Sequence, residues 1–131
     1  MISRRFLLQA TIVGASATAI VPARAFQMHP FDIKSFEAAQ AAGKPILVEI
    51  SASWCPTCKA QKPILSDLAT KAKFKDLVAF EIDFDDQKDL LRKFDVFMQS
   101  TLISFKGSKE VGRSTGDTNA SSIEALLDKS I

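Results

Sequence analysis

Residues 46–63 read ILVEISASWCPTCKAQKP, and this stretch limits the possible fold more than any other part of the chain. "ILVEIS" is a short apolar run directly after Pro45, the pattern of a buried strand. Pro56 stands where a helix can begin, because a first-turn position needs no N–H donor. A helical pattern then runs to about Lys73, with Ile64, Leu65 and Leu68 on one face. Pro63 falls inside that helix and should kink it. Strand, loop and helix therefore meet at Trp54-Cys55-Pro56-Thr57-Cys58, which holds both cysteines and the single tryptophan of the chain.

The flanking segments continue the alternation. FDIKSFEAAQAAGKP predicts a helix with Ile33, Phe36 and Ala39 on one face and Gly43 as its stop. LVAFEIDFD predicts a second strand and DQKDLLRKFD a short helix. STLISFKG predicts a third strand, GSK a turn and EVGRST a fourth strand. TNASSIEALLDKS predicts a last helix capped by Thr118 or Asn119. Strands alternating with helices favour a central sheet covered on both faces.

The first 25 residues do not read as fold. Arg4 and Arg5 precede an apolar, small-residue run that ends in Ala23-Arg24-Ala25. That is the charged region, core and cleavage site of an export signal, and SRRFLL resembles a twin-arginine signal. Residues 1–25 are thus expected to be a signal segment, cleaved after Ala25, and residues 26–131 one folded domain. The signal carries three arginines and no acid, which leaves the domain with fourteen bases, fifteen acids and a net charge of −1. No basic patch remains to argue for nucleic acid. Export also places the thiols in an oxidising compartment, here expected to be the periplasm.

Two cysteines at this spacing allow three chemistries. A structural zinc site needs four ligands, and the chain offers Cys55, Cys58 and His29, so carboxylates or a second chain would have to complete it. A purely structural disulfide would close a very short loop, where entropic stabilisation is small. Reversible thiol–disulfide exchange suits a pair at a helix start behind a buried strand. There the helix's free N–H groups and positive end favour an anion. Cys55 is then expected to be the exposed nucleophile, with donors from Thr57 and Cys58 and a pKa of about 6–7.5. Cys58, one turn in, is expected to resolve the mixed disulfide. No histidine lies between the cysteines to stabilise the thiolate further, so the couple is expected to be reducing or intermediate rather than strongly oxidising.

Trp54-Cys55-Pro56-Thr57-Cys58-Lys59 with Pro63, preceded by ILVEISAS, resembles the active-site segment of thioredoxin-fold proteins, and the resemblance extends over nearly the whole of residues 26–131. It implies an α/β thioredoxin-like fold, a central mixed sheet of four to five strands with helices on both faces. It also implies a disulfide oxidoreductase without a cofactor beyond the Cys55–Cys58 disulfide, acting on protein thiols and disulfides. Exported members commonly draw electrons from a membrane thiol transporter. Trp54 shields the site by the same resemblance, and the segment Gln99-Ser100-Thr101 corresponds to the loop that binds substrate backbone.

Two departures stand out. The family carries a cis-proline where this chain has Ser100, and Gln99–Ser100 is expected to be trans because a non-proline cis bond costs about 2.5–4 kcal/mol. Loss of the proline opens two alternatives, altered substrate recognition or zinc or iron–sulfur binding at Cys55 and Cys58; a non-catalytic partner-binding module that keeps the fold is a separate reading. The second departure is Glu49, six residues before Cys55, where the family has a buried aspartate. Burial would raise its pKa and make it a base for Cys58. Glu81 falls where the family often has a lysine, so Glu49 and Glu81 are expected to face each other. Of the remaining polar residues, His29 is expected on the surface, Asp83, Asp85, Asp86 and Asp89 at a strand end and helix cap, and Lys59 and Lys62 on a solvated face. Phe97 and Met98 suit either the core or an apolar lip near Cys55.

Overall fold

The computed structural model of the chain describes residues 14–19 and 25–131. Of the export signal read over residues 1–25, residues 1–13 and 20–24 lie outside the described residues. The elements, in chain order, are β1 (Met28–Pro30), α1 (Ile33–Ala41), β2 (Pro45–Ser51), α2 (Pro56–Leu68), β3 (Val78–Asp83), α3 (Lys88–Lys93), β4 (Thr101–Lys106), β5 (Lys109–Thr115) and α4 (Ala120–Asp128). A short 3-10 turn, Ala72–Phe74, follows α2. The sheet runs β1-β3-β2-β4-β5, parallel on the β1, β3 and β2 side and antiparallel from β2 to β5. This is the two-sided architecture expected from the alternation, with the mixed sheet of four to five strands that the resemblance implies.

Alternation along β2 divides the core. Ile46, Val48 and Ile50 face α1 and α3, where Phe31, Phe36, Phe80, Phe94 and Phe105 build an aromatic cluster. Phe36 sits at its centre, 5.2 to 5.9 Å from four other rings, three of them edge-on. Leu47 and Glu49 face the opposite way, toward α2 and α4. There Leu65, Leu68, Ile123 and Leu127 pack against Leu47, Ala79 and Leu102. Glu49 is therefore carried into an apolar layer by the same two-residue period that buries its neighbours.

Two elements differ from the sequence reading. β1 was not expected: three residues ending in proline show no alternation, and the strand exists through its pairing with Ala79–Glu81. His29 accordingly stands exposed on an edge strand rather than in a free segment before α1. Helix α2 ends at Leu68, not near Lys73. Lys71 leaves helical geometry at φ −81°, ψ 125°, and this turn lets Phe74 enter the core. The last helix is capped by Asn119, whose side chain accepts the Ser122 N–H.

Candidate functional site

β2 delivers the chain to the loop that precedes α2, and α2 opens on Cys55 as its N-cap. The Cys55 sulfur accepts the Cys58 N–H at 3.1 Å. Cys55 and Cys58 form a disulfide with 5.3 Å between their Cα atoms. The sulfur thus sits on the helix's unpaired donors, where a thiolate would be stabilised once the bond is reduced. The sequence reading gave two donors, Thr57 and Cys58; Cys58 supplies the bond seen here. It also made Cys55 the exposed partner. In the disulfide form Cys55 is 1% exposed and Cys58 0%, both packed with Ala52 and against Phe84. The correction has a simple cause: an N-cap side chain folds back over its own helix start, and the disulfide holds it there.

Trp54 lies open beside the pair, and its indole Nε1 donates to Asp85 Oδ2 at 2.7 Å. The acidic cluster is arranged differently from the expected helix cap. Asp83 Oδ1 accepts the N–H groups of Asp85 and Asp86, which shapes the turn after β3, and Asp85 is free to hold the indole. Gln87, not an aspartate, caps α3, without a side-chain cap bond, while Asp89 lies in the first turn. Phe97 and Met98 do not enter the core: they are 83% and 54% exposed.

Glu49 and Glu81 are paired across β2 and β3, as expected. The group between them was not expected. Lys62, read as solvated, reaches from α2 to lie 3.0 Å from Glu81 Oε2 and 3.8 Å from Glu49 Oε1. The three line a cavity of about 160 Å³ with Phe26, Met28 and Leu65. Glu49 is 1% exposed, and its Oε1 has no hydrogen-bond partner. Burial pushes its carboxyl up from 4.5 to about 7, with Lys62 opposing and Glu81 reinforcing the rise. Lys62 is itself held above the usual lysine range: partial burial disfavours its ammonium, and the two carboxylates outweigh that.

The Ser100 turn precedes β4, whose first residue, Thr101, pairs with Ile50 near the end of β2 that leads into the cysteine loop. The Gln99–Ser100 bond is not cis; no cis peptide occurs among the described residues. Ser100 instead takes φ +58°, a left-handed conformation that costs a non-glycine residue roughly 1–2 kcal/mol. Its hydroxyl donates to Gln99 O at 2.6 Å, and Thr101 Oγ1 donates to Met98 O at 2.7 Å. A fully buried carboxamide, Gln61 of α2, donates to Ser100 O at 3.2 Å. Sequence reasoning passed over Gln61 as well as Lys62. The signal for Gln61 was present: Cys58, Gln61, Leu65 and Leu68 recur at helical spacing and form the buried stripe of α2.

A two-sided α/β sheet with a cysteine pair closing the N-terminus of its central helix defines a dithiol–disulfide exchange protein. Residues 27–129 match the family described as Thioredoxin. A thioredoxin of Aspergillus fumigatus is 33% identical over 97 residues, 73% of this chain and 87% of that protein. A rabbit (Oryctolagus cuniculus) thioredoxin is 35% identical over 68% of this chain and 82% of its own length. The crystal structure of Trxlp from Edwardsiella tarda superposes with a TM-score of 0.75 at 40% identity, covering 77% of this chain and 98% of that one. The chain belongs to the thioredoxin family. It is a thiol–disulfide oxidoreductase with a Cys55–Cys58 redox centre, acting on protein thiols and disulfides.

Proposed function

We propose that the protein is an exported reductant of protein disulfides in the periplasm, re-reduced by a membrane thiol transporter. The observation that carries the reading is the Cys55 sulfur held on the Cys58 N–H at the start of α2, which favours a thiolate at that position without a histidine between the cysteines to stabilise it excessively. In the reduced protein the Cys55 thiolate attacks one sulfur of a substrate disulfide, forming a mixed disulfide and releasing one substrate thiolate. Cys58 then loses its proton and attacks Cys55 Sγ, which releases the second substrate thiolate. Two electrons pass to the substrate, and the Cys55–Cys58 disulfide reforms. Glu49 is the proposed acceptor of the Cys58 proton. Trp54 covers the pair from the solvent side. Gln99, Ser100 and Thr101 offer backbone groups to the substrate strand.

Export rests on Arg4, Arg5 and the small-residue run ending at Ala25. No prosthetic group is needed in this scheme. Insulin reduction driven by dithiothreitol tests catalysis, with metal content measured on protein purified without chelator. Turnover in metal-free protein is expected; a stoichiometric metal with no turnover would replace the reductant reading by a metal-binding one. Direction is tested by equilibrium with glutathione. A potential near the roughly −270 mV typical of thioredoxins supports a reductant, and one near about −120 mV reverses the direction.

A further inference from the structure

Gln61 lies three residues after Cys58 in the buried stripe of α2 and is fully enclosed. Thiol–disulfide exchange gives it no task. An aliphatic side chain would fill the place between Cys58 and Leu65 without the cost of burying an amide. Its bonds show what it does instead. Nε2 donates to Ser100 O at 3.2 Å and to Asp117 O at 2.9 Å, so both N–H groups are engaged. Oε1 has no partner. The flipped amide would set its oxygen against two carbonyl oxygens, so the contacts themselves fix its orientation.

The two carbonyls belong to segments well separated along the chain. One is the turn before β4 and the other the turn between β5 and α4. Ser100 O also accepts the Gly116 N–H at 3.0 Å, which ties these turns to each other. The Ser100 hydroxyl bonds its own neighbour Gln99 and ties nothing across. At φ +58° the backbone of Ser100 has easier conformations within reach, and something outside the turn must hold it.

We infer that Gln61 is a positioning residue: its carboxamide pins the Gln99–Ser100–Thr101 turn and the Gly116–Asp117 turn to the active-site helix, so that a substrate protein meets the Ser100 turn in one preset shape. A preset turn removes part of the ordering cost of association. The inference rests on the reading that Gln99, Ser100 and Thr101 contact substrate backbone, and the experiment separates the two.

Gln61→Met keeps the volume and removes both donors. KM and kcat are measured for insulin and for a small aromatic disulfide that is too short to reach the turn. The expected result is an insulin KM raised about tenfold, the size of two ordinary hydrogen bonds, with little change in kcat and no comparable rise in KM for the small disulfide. An equal rise for both substrates, or no rise for either, overturns the assignment. Should the variant not fold, the side-chain amide protons of Gln61 in the oxidised wild-type protein decide the matter. Slow exchange of both is expected, and fast exchange of either overturns it. The contact reading is checked by amide exchange in a Cys58→Ser mixed disulfide with an insulin B-chain peptide. Protection at Gln99 to Thr101 supports it, and its absence removes that reading and this inference together.

Discussion

Replacing Glu49 by glutamine should make the protein more stable above neutrality and leave it nearly unchanged in mild acid. The folded carboxyl titrates at about 7 and the reference value is 4.5, chiefly because the side chain is buried. A carboxyl whose folded pKa lies above its unfolded one binds protons more tightly in the native state. Stability therefore falls as pH rises from the unfolded value through the folded one. Below pH 4.5 the acid is largely neutral in both states and carries no penalty. Above about pH 7 the full difference applies, about 3 kcal/mol. Glutamine has the same shape and never ionises. Urea unfolding of the oxidised wild type and Glu49→Gln, from about pH 4 to about pH 8, should give curves that coincide at the acid end. They should part between about pH 5 and 7 and run parallel above, with the variant the more stable. A constant offset across that range, or a wild type whose stability rises through the same interval relative to the variant, would refute the argument that burial controls this group.

Three further outcomes follow from the site and core. Cys58→Ser should accumulate a mixed disulfide through Cys55 with a disulfide substrate, seen by intact mass; Cys55→Ser should form none, and an adduct trapped on Cys58 of that second variant alone would reverse the two roles. Lys62→Ala removes the cation that holds the Glu49 pKa down, so the Glu49 carboxyl should titrate at higher pH by carbon NMR, and a downward movement would contradict the geometry. Phe36→Ala opens a hole among four rings and should cost about 3–5 kcal/mol in urea unfolding with the redox potential unchanged.

The parts of this molecule that were readable from sequence are those set by local rules. The Cys55 N-cap, Pro56 in the first turn and the apolar stretch 46–50 each depend on residues within one turn or one strand. β1 was missed because Met28–Pro30 becomes a strand only by pairing with Ala79–Glu81, far along the chain. Glu49 was legible as buried, since its strand neighbours are apolar, but its partner was not. Lys62 comes from a different element, and a lysine on a helix reads as solvated until the helix is laid on the sheet. Gln61 failed for a related reason. A glutamine in an apolar stripe looks like a break in the pattern, and only the Ser100 and Asp117 carbonyls explain why it belongs there. The exposure of Cys55 was misjudged because the reading pictured a free thiolate, whereas the oxidised pair closes over itself.

The proposed role of Glu49 as acceptor of the Cys58 proton also bears on rate. Cys58 is wholly enclosed, so bulk water is poorly placed to take its proton. An ordinary thiol titrates near about 8.5. A carboxylate at its usual 4.5 would hold that proton at a disadvantage of about ten-thousandfold, whereas one at about 7 faces only about thirtyfold. On the proposal that Glu49 takes the Cys58 proton, the apolar layer that makes Glu49 costly to ionise also narrows that mismatch. Lys62 sets the limit from the other side. Without a cation within 3.8 Å the carboxyl would climb further and less of it would be in the base form. Glu81 in turn engages Lys62 at 3.0 Å, closer than the 3.8 Å that separates the cation from Glu49. Burial and Glu81 raise the Glu49 carboxyl while Lys62 lowers it, and the outcome is a group poised at about 7.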